Sequence, residues 1–439
     1  MTAARPLRRI LIVSPHFPPV NAPDHQRVRT SLPYFRSEGW EPEVLAVDAA
    51  RVESQSDPLL EKTLPADVPI HRVGALPARL TRLAGLGNLA YRAWSQLHAA
   101  GARLLRTGRF DLVYFSTTQF VATALGARWR KQFGVPFVVD IQDPWRTDYY
   151  ERPGSPPPPG GWKYRFARWQ AARLEERAWR DASGFVSVSP VYLEQLRARY
   201  PWFAGRPADV IPFGAPEADF AFVRQHPEIP AAFRREPDLE HFVSVGAIGP
   251  IMQPAMEAIF AGLAAWRSAG PDAAAKCRLH FIGTSYAPAG RAVPSVQPIA
   301  ARHGVGDLVI EQPERAGYFT ALQTLLAADA LLLPGSDDPG YSPSKIGACF
   351  LAQRPVLAVM PAAGAAAARV RALQFAELVA VGAPDAVTRV AGFFEHVRNA
   401  SPVEAIAGRN VRLFASEDTA QACTRRQCAL FERALARRP

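Results

Sequence analysis

Short apolar runs alternate with amphipathic stretches along the first half of the chain. The first run, residues 10–13, has no polar position, which is typical of a strand buried on both faces of a sheet. Mostly apolar runs follow at residues 43–47, 112–115, 137–141, 184–188 and 210–211, and a helix is predicted over residues 27–39. This alternation predicts a doubly wound α/β fold with a parallel sheet.

The same pattern restarts near residue 241 and continues to about residue 359. Its strands are predicted at residues 241–245, 279–282, 309–311, 330–334 and 355–359. We therefore predict two Rossmann-like domains, residues 1–212 and 213–415, and a last amphipathic helix within residues 416–439 that returns to the first domain. Ligands of such sheets bind beyond the carboxyl ends of the strands, so a central cleft between the domains is expected.

The chain carries 51 lysines and arginines against 40 acidic residues, a net charge of +11. Part of this excess is local, because residues 75–110 contain six arginines and no acidic residue, and residues 162–169 alternate aromatic with basic side chains. Such segments can bind the headgroups of an anionic membrane. The alternative is that both are ordinary helices with a solvated basic face. No nucleic-acid-binding module is recognisable, so nucleic acid is not an expected partner.

No apolar run approaches the ~18 residues needed to span a bilayer, and residues 10–13 are too short for the core of a signal peptide. We therefore expect the protein in the cytoplasm, with a contact to the inner face of the cell membrane through its basic segments. The four cysteines have no spacing typical of a zinc site or a disulfide framework. Because no Asp-x-Asp follows a strand either, no metal is expected.

The most informative polar segment, residues 336–346, directly follows the predicted strand 330–334. Ser342 is a candidate helix N-cap, followed by Pro343 at the first helical position. Lys345 would then lie in the first turn, where the helix dipole disfavours a cation unless an anion such as phosphate is bound there. Asp338, Tyr341 and Ser344 belong to the same candidate site. The alternative is that Lys345 simply extends to solvent.

Gly246 and Gly249 form a second candidate, in the turn after the predicted strand 241–245. Glycines allow the backbone to approach a ligand closely, although many such pairs only turn the chain. Because this turn and Lys345 would lie at the same edge of one sheet, we predict a shared binding site.

Polar residues also follow the strands of the first domain. His16, Asp24 and Arg27 come after the first strand, and Asp140, Asp143 and Trp145 lie at the end of the strand 137–141. We interpret Asp24, Arg27, Asp140 and Trp145 as acceptor-side residues, and His16 and Asp143, with Lys345, as catalytic candidates. Capping or loop stabilisation is the alternative for each; Asp24, for example, could cap the helix at Arg27.

These segments together give the chain a resemblance to the retaining group 1 glycosyltransferases, which are family 4-like and have the GT-B fold. The residues that carry it are 10–19, 27–29, 39–42, 138–145 and 340–359. The resemblance implies a nucleotide-diphosphate sugar bound by the second domain, a saccharide or lipid-linked acceptor bound by the first, and no cofactor. Lys345 matches the family lysine that contacts the donor diphosphate.

The sequence also departs from the family pattern. The two glutamates that the family carries fall at Gly340 and Ala348, the usual basic pair after the glycine turn is absent with Gln253 nearby, and Gln353 replaces a glycine. The resemblance implies transfer with retention of anomeric configuration, in cell-surface polysaccharide or glycolipid synthesis. Two alternatives remain: a catalytically silent GT-B protein that binds or scaffolds, and a nucleotide-sugar epimerase.

Overall fold

Two parallel sheets organise the chain, one in each of two units. The computed structural model describes residues 6–81, 87–151, 161–285, 287, 290–399 and 408–436. The first unit comprises residues 1–214 with 420–439, and the second comprises residues 215–419. The part of the basic segment 75–110 at residues 82–86, and the side chain of Lys163, lie outside this description.

The sheet of the first unit has seven strands in the order β3-β2-β1-β4-β5-β6-β7. They are β1 (Arg8–Val13), β2 (Trp40–Val47), β3 (Ile70–Val73), β4 (Leu112–Ser116), β5 (Phe137–Ile141), β6 (Gly184–Ser187) and β7 (Ala208–Val210). Each neighbouring pair is parallel. β1 lies between β2 and β4, and its apolar run is fully buried, as its sequence predicts.

The helices of the first unit before residue 214 flank this sheet. They are α1 (Gln26–Ser31), α2 (Ala78–Thr81), α3 (Leu89–Arg92), α4 (Trp94–Thr107), α5 (Ala124–Phe133), α6 (Trp162–Trp179) and α7 (Pro190–Arg199). The single helix predicted over residues 27–39 is wrong. α1 ends at Ser31 and continues as short 3-10 turns, because Pro33 has no amide hydrogen to donate to the helix and its ring obstructs the preceding turn.

The sheet of the second unit has six strands in the order β10-β9-β8-β11-β12-β13. They are β8 (Glu240–Val245), β9 (Cys277–Ile282), β10 (Val309–Gln312), β11 (Ala330–Pro334), β12 (Val356–Met360) and β13 (Glu377–Ala380). The helices are α8 (Glu217–Gln225), α9 (Gln253–Ala269), α10 (Pro271–Ala275), α11 (Gln297–Arg302), α12 (Tyr318–Ala327), α13 (Lys345–Ala352), α14 (Ala365–Leu373), α15 (Ala386–Asn399) and α16 (Val411–Glu417).

Helix α13 begins later than its sequence predicts. Ser342 is not the N-cap and Pro343 is not the first helical residue; the cap position is Ser344, which makes no side-chain capping hydrogen bond, and Lys345 opens the helix. The amide of Ile346 donates to the carbonyl of Pro343 at 3.4 Å, so Pro343 lies in the turn that leads into the helix. Lys345 is therefore the first helical residue.

After the second unit the chain returns to the first as α17 (Ala420–Ala436). Phe431 on this helix is fully buried, with ring centroids 4.9 Å from Tyr114, 5.5 Å from Trp40 and 6.4 Å from Phe35. Gln427 accepts from the Tyr114 hydroxyl at 3.1 Å. α17 therefore covers one face of the first sheet with apolar side chains and one buried hydrogen bond.

Among the described residues, no helix combines the length and the apolar character that crossing a membrane requires.

Candidate functional site

Asp24 lies in the loop after β1 and accepts hydrogen bonds from that loop and from the segment after β4. Its carboxylate accepts from His16 Nδ1 at 3.0 Å, from Thr117 Oγ1 at 3.0 Å, and from the amide and hydroxyl of Thr118 at 3.2 Å each. The side chain is almost fully buried. Burial opposes ionisation, but the charge and hydrogen bond of His16 outweigh it and hold the pKa of Asp24 well below its usual range.

This geometry gives Asp24 a different role from the helix cap considered as an alternative. The N-cap of α1 is His25, and no side chain caps that helix. An ionised Asp24 can only accept, so His16 Nδ1 carries the shared proton and the ring is fixed in orientation. His16 remains partly exposed. The carboxylate and imidazole thus form an oriented pair at the carboxyl edge of the first sheet.

Arg27 and Asp140 form a buried ion pair. Arg27 Nε lies 2.9 Å from Asp140 Oδ2, and its other nitrogens donate to the carbonyls of Ile211 at 2.8 Å and Pro212 at 3.0 Å. Both side chains are about 1% exposed. The structure therefore leaves neither residue a surface for direct acceptor contact, contrary to the sequence interpretation. Their pairing instead joins α1, β5 and the segment after β7.

Asp143, by contrast, reaches solvent from the loop after β5, although many protein atoms surround it at longer range. Desolvation by surrounding protein, with the negative charge of Asp24, raises the pKa of Asp143 to about 7. A carboxyl group with a pKa near the operating pH can accept or donate a proton. Trp145, two residues on, is partly buried, with its ring 5.7 Å from Phe120 and 5.5 Å from Trp179.

In the second unit, the structure brings Lys345 against Gly246. Lys345 Nζ is buried and has no hydrogen-bond partner among the described residues. Burial lowers the pKa of Lys345 to about 8. Gly246 has φ +102°, and a Cβ placed there would lie 2.8 Å from Lys345 Cε and 3.1 Å from Nζ. The backbone conformation therefore favours glycine, and a side chain at this position would displace the end of the lysine.

An isolated buried ammonium is costly, and a bound anion would supply its missing partner. The other residues that were predicted for this binding site differ in solvent exposure. Ser342 and Tyr341 are partly buried, and Ser344 is exposed. Asp338 accepts from the amide of Gly340 at 3.0 Å, which stabilises the turn before α13. Gly249 has φ −97° and open space where a Cβ would project.

At the start of helix α11, in the same unit, a carboxylate of the protein already accepts hydrogen bonds from the free amides. Glu311 at the end of β10 accepts from the amides of Ser295 at 2.9 Å, Val296 at 3.0 Å and Gln297 at 2.7 Å, directly before and at the start of α11. The position where a helix start binds an anion is thus filled by a side chain of the protein. This contrasts with the unpartnered cation at the start of α13.

The sequence interpretation missed Thr117 and Thr118. Their signal was a run of hydroxyl residues, 116–118, directly after a strand with no other polar position. Within the part of the chain that the structure describes, no group of three or more histidine, cysteine, aspartate or glutamate side chains could hold a metal ion.

Comparison with known proteins finds one family model that matches part of the first unit and solved structures that share the fold. Residues 25–214 match the family model of the glycosyl transferase 4-like domain. No curated protein sequence matches the chain significantly.

Solved structures are similar over nearly the whole length. HepE from Anabaena, crystallised in complex with UDP, is 16% identical with a TM-score of 0.59, over 97% of this chain and 99% of HepE. WaaG, a glycosyltransferase involved in lipopolysaccharide biosynthesis, is 14% identical with a TM-score of 0.58, over 96% and 99%. A UDP-forming α,α-trehalose-phosphate synthase from Burkholderia vietnamiensis is 14% identical with a TM-score of 0.59, over 97% of each chain. The resemblance and the GT-B fold that it implies are confirmed.

Proposed function

We propose that this chain, whose residues 25–214 form a glycosyl transferase 4-like domain, moves a sugar from a nucleotide diphosphate to an acceptor. The observation that carries the proposal is the buried, unpartnered ammonium of Lys345 beside Gly246. A diphosphate is the anion that such a site suits. The neighbour HepE was crystallised with UDP and the trehalose-phosphate synthase is UDP-forming, so UDP-sugars are the first donors to test.

Charge on the leaving diphosphate is the chemical problem that the second unit would solve. The bond between the sugar C1 and the diphosphate oxygen breaks, and the two phosphates acquire negative charge. Lys345 and the amides at the start of α13 would stabilise that charge, and a positioned cation can do so without a metal. This contribution grows as the bond breaks, so it lowers the barrier to transfer as well as binding the donor.

The first unit would bind the acceptor, a saccharide or a lipid-linked saccharide. A new bond forms between C1 and an acceptor hydroxyl, whose proton must leave. We propose that a diphosphate oxygen of the donor takes this proton and that anomeric configuration is retained, as the family resemblance implies. Asp143, with its pKa near 7, and the His16–Asp24 pair would orient the acceptor hydroxyl.

A membrane surface is the proposed location of a lipid-linked acceptor. Trp162, Phe166 and Trp169 on α6 are 73%, 47% and 50% exposed and recur at helical spacing. No acidic residue occurs between residues 162 and 174, whereas Arg165 and Arg173 are basic. Exposed rings with neighbouring arginines suit the headgroup region of an anionic membrane. A place in cell-surface polysaccharide or glycolipid synthesis follows from this proposal.

A silent binding protein is the second candidate, because Gly340 and Ala348 occupy the positions of the two family glutamates. Without those carboxylates the donor site could bind a nucleotide and not turn it over. The two functions separate when UDP-, GDP-, ADP- and dTDP-sugars are tested for both binding and transfer. Binding without transfer to any acceptor favours the silent protein. A change of the sugar in a donor incubated alone, seen by NMR, would identify an epimerase.

Lys345→Ala tests the proposed site. We expect turnover to fall by about 100- to 1,000-fold, the usual loss when one charge-stabilising group is removed from a transfer site. Stability should not fall, because the substitution removes a buried charge that has no hydrogen-bond partner. Lys276→Ala is the control, since Lys276 is an exposed lysine of the same unit. Undiminished transfer by Lys345→Ala would contradict the proposed role.

A further inference from the structure

A cavity of about 920 Å³ lies entirely within the first unit, between α6, the segment after β5 and the residues around α3. It is at the upper end of the ~300–1,000 Å³ range typical of small-molecule sites. Neither the Lys345 site nor the buried Arg27–Asp140 pair belongs to its lining. The kind of ligand that this cavity could bind is therefore a separate question from those two sites.

Six of the sixteen residues that line the cavity are aromatic. Phe120 and Trp145 stack on each other, with ring centroids 5.7 Å apart, and Trp162 and Phe166 line the cavity from α6. The last two side chains are also 73% and 47% exposed, so the apolar lining continues out to the protein surface. A saccharide must find a hydrogen-bond partner for each hydroxyl group that it buries, and the rings supply none. A hydrocarbon chain would bury no polar group there.

The lining also contains polar side chains, among them Asn88, Thr147 and Gln170. Arg146 and Arg168 contribute guanidinium groups, and the buried Tyr164 hydroxyl has no hydrogen-bond partner among the described residues. Arg168 pairs with Glu151, whereas Arg146 donates to the neutral hydroxyl of Tyr200 at 3.3 Å. An anionic oxygen in the cavity could therefore accept from Arg146 and Tyr164. A guanidinium group and a phenol suit a phosphate ester.

The cavity also adjoins the polar cluster at the edge of the first sheet. Thr118 lines it and donates to Asp24 through both its amide and its hydroxyl, at 3.2 Å each. A molecule anchored by its apolar part among the aromatic walls would thus extend toward the Asp24–His16 pair. This is the direction in which a reacting hydroxyl group of an acceptor should point.

We infer that this cavity binds the hydrocarbon chain and the phosphate of a lipid-phosphate acceptor. The inference rests on the proposed glycosyltransferase function and narrows its acceptor to an amphiphile with one phosphate-linked chain. The exposed Trp162 and Phe166 form the entrance, so the chain would enter from the face that we propose for membrane contact.

Calorimetry with octyl phosphate and decyl phosphate, each below its micelle concentration, tests the occupant. If the chain is buried, the dissociation constant should fall about three- to fourfold per added methylene. Inorganic phosphate tests the headgroup alone, and octanol tests the chain alone; both should bind at least tenfold more weakly than octyl phosphate. Affinity that does not depend on chain length, or inorganic phosphate that binds as well as decyl phosphate, overturns the inference.

Two substitutions on α6 test whether decyl phosphate binds in this cavity. Ala167 lines the cavity, so Ala167→Trp should fill its entrance and weaken decyl phosphate at least tenfold. Ala172 is exposed on the same helix and does not line the cavity, so Ala172→Trp is the matched control. Arg146→Met is a second, independent variant, which should weaken decyl phosphate and leave octanol binding unchanged. Equal binding by Ala167→Trp and Ala172→Trp overturns the assignment to this cavity.

These experiments distinguish a failure of the lipid site from a failure of the proposed function. UDP binding should be the same in all three variants, because none of these residues belongs to the second unit. If decyl phosphate binds as expected but no donor is ever turned over, the transferase proposal fails and the lipid site stands. If sugar is transferred to soluble saccharides while decyl phosphate does not bind, the transferase stands and the lipid site fails.

Discussion

Gly246 and Lys345 lie against each other in the candidate donor site. Gly246 holds a positive φ of 102° and leaves no room for a Cβ beside the lysine, whereas Gly249, three residues on, has neither constraint. The two glycines look alike in the sequence. Only the structure shows that one is constrained and the other is not.

Gly246→Ala should weaken UDP binding at least tenfold, because its methyl group must displace the lysine side chain. It should also lower the free energy of unfolding by about 1–2 kcal/mol, the usual cost of a left-handed conformation for a residue with a Cβ. Gly249→Ala is the matched control and should bind UDP as the wild type does. UDP titration and urea unfolding measure both effects; equal losses in the two variants would contradict the assignment.

The ionisation of Lys345 predicts a pH dependence of nucleotide binding. Its pKa is lowered by burial from 10.5 to about 8, so the ammonium is present below pH 8 and is lost above it in the free protein. UDP affinity should therefore be constant from pH 7 to 8 and fall by up to tenfold per pH unit above 8. Calorimetry from pH 7 to 9.5 measures this.

Lys345→Met is the control for that profile and should bind weakly with no pH dependence. The direction in which stability changes with pH follows from the same lowered pKa of Lys345. Below pH 8 the folded protein holds a destabilising buried charge, and between about pH 8 and 10.5 it has lost a proton that the unfolded chain still binds, so stability should rise with pH. A wild-type affinity that stays flat to pH 9.5 would rule out a charged Lys345 as the diphosphate partner.

For single residues, the sequence predicts the place in the fold better than it predicts which other residues are contacted. The proximity of Gly246 and Lys345 follows from strand order alone, because both lie at the carboxyl edge of one sheet. The partners of Asp24 could not be predicted, since Thr117 and Thr118 lie more than 90 residues away in the chain. The burial of Arg27 and Asp140 was equally hidden, because a charged residue is usually exposed unless a partner accompanies it inside.

At the scale of elements, strands that are buried on both faces are readable from sequence, whereas edge strands are readable only in part: β7 and β10 were predicted, but β3 and β13 were not. β1 was predicted because its residues 10–13 form an apolar run, whereas β3 (Ile70–Val73) contains a histidine and an arginine and lies at the edge of its sheet. β13 (Glu377–Ala380), at an edge of the second sheet, was missed too. An edge strand contacts one neighbour only, so its side chains are less constrained.

The prediction at the scale of elements concerns helix α6 and its association with membranes. Replacing Trp162, Phe166 and Trp169 together by serine should weaken association with anionic phospholipid vesicles at least tenfold, because the variant loses the rings that would insert at the headgroups. Val293→Ser is the control, since Val293 is 72% exposed but lies in the second unit. Vesicle flotation measures the bound fraction, and added salt should reduce it.

The same assay can contradict the membrane proposal. If the wild type floats equally with neutral and anionic vesicles, or if the triple variant floats as well as the wild type, α6 is an ordinary surface helix. Its aromatic and basic side chains would then be explained by packing and solvation alone.

At the scale of the whole molecule, the first unit depends on a helix that follows the second unit in the chain. Phe431→Ala should lower the free energy of unfolding of the first unit by about 3–5 kcal/mol, the usual cost of removing a fully buried phenylalanine. Tryptophan fluorescence reports this, because Trp266 alone among nine tryptophans lies in the second unit. UDP binding should be retained under conditions where the first unit stays folded.

Gln421→Ala is the control, since Gln421 is exposed on the same helix. If Phe431→Ala unfolds with the wild-type midpoint, α17 contributes little to the first unit. If UDP binding disappears while the fluorescence of the first unit is unchanged, the donor site depends on α17 in a way that the contacts of Phe431 do not explain.

The position of α17 also sets an order of events during synthesis on the ribosome. The face of the first sheet that includes Trp40 and Tyr114 cannot be covered until α17 emerges, and about 200 residues of the second unit are made in between. At ~5–20 residues per second this interval lasts roughly 10–40 s. A nascent chain of this protein therefore carries an open apolar face for that time, which makes the first unit, although synthesised first, the one that a chaperone would need to protect.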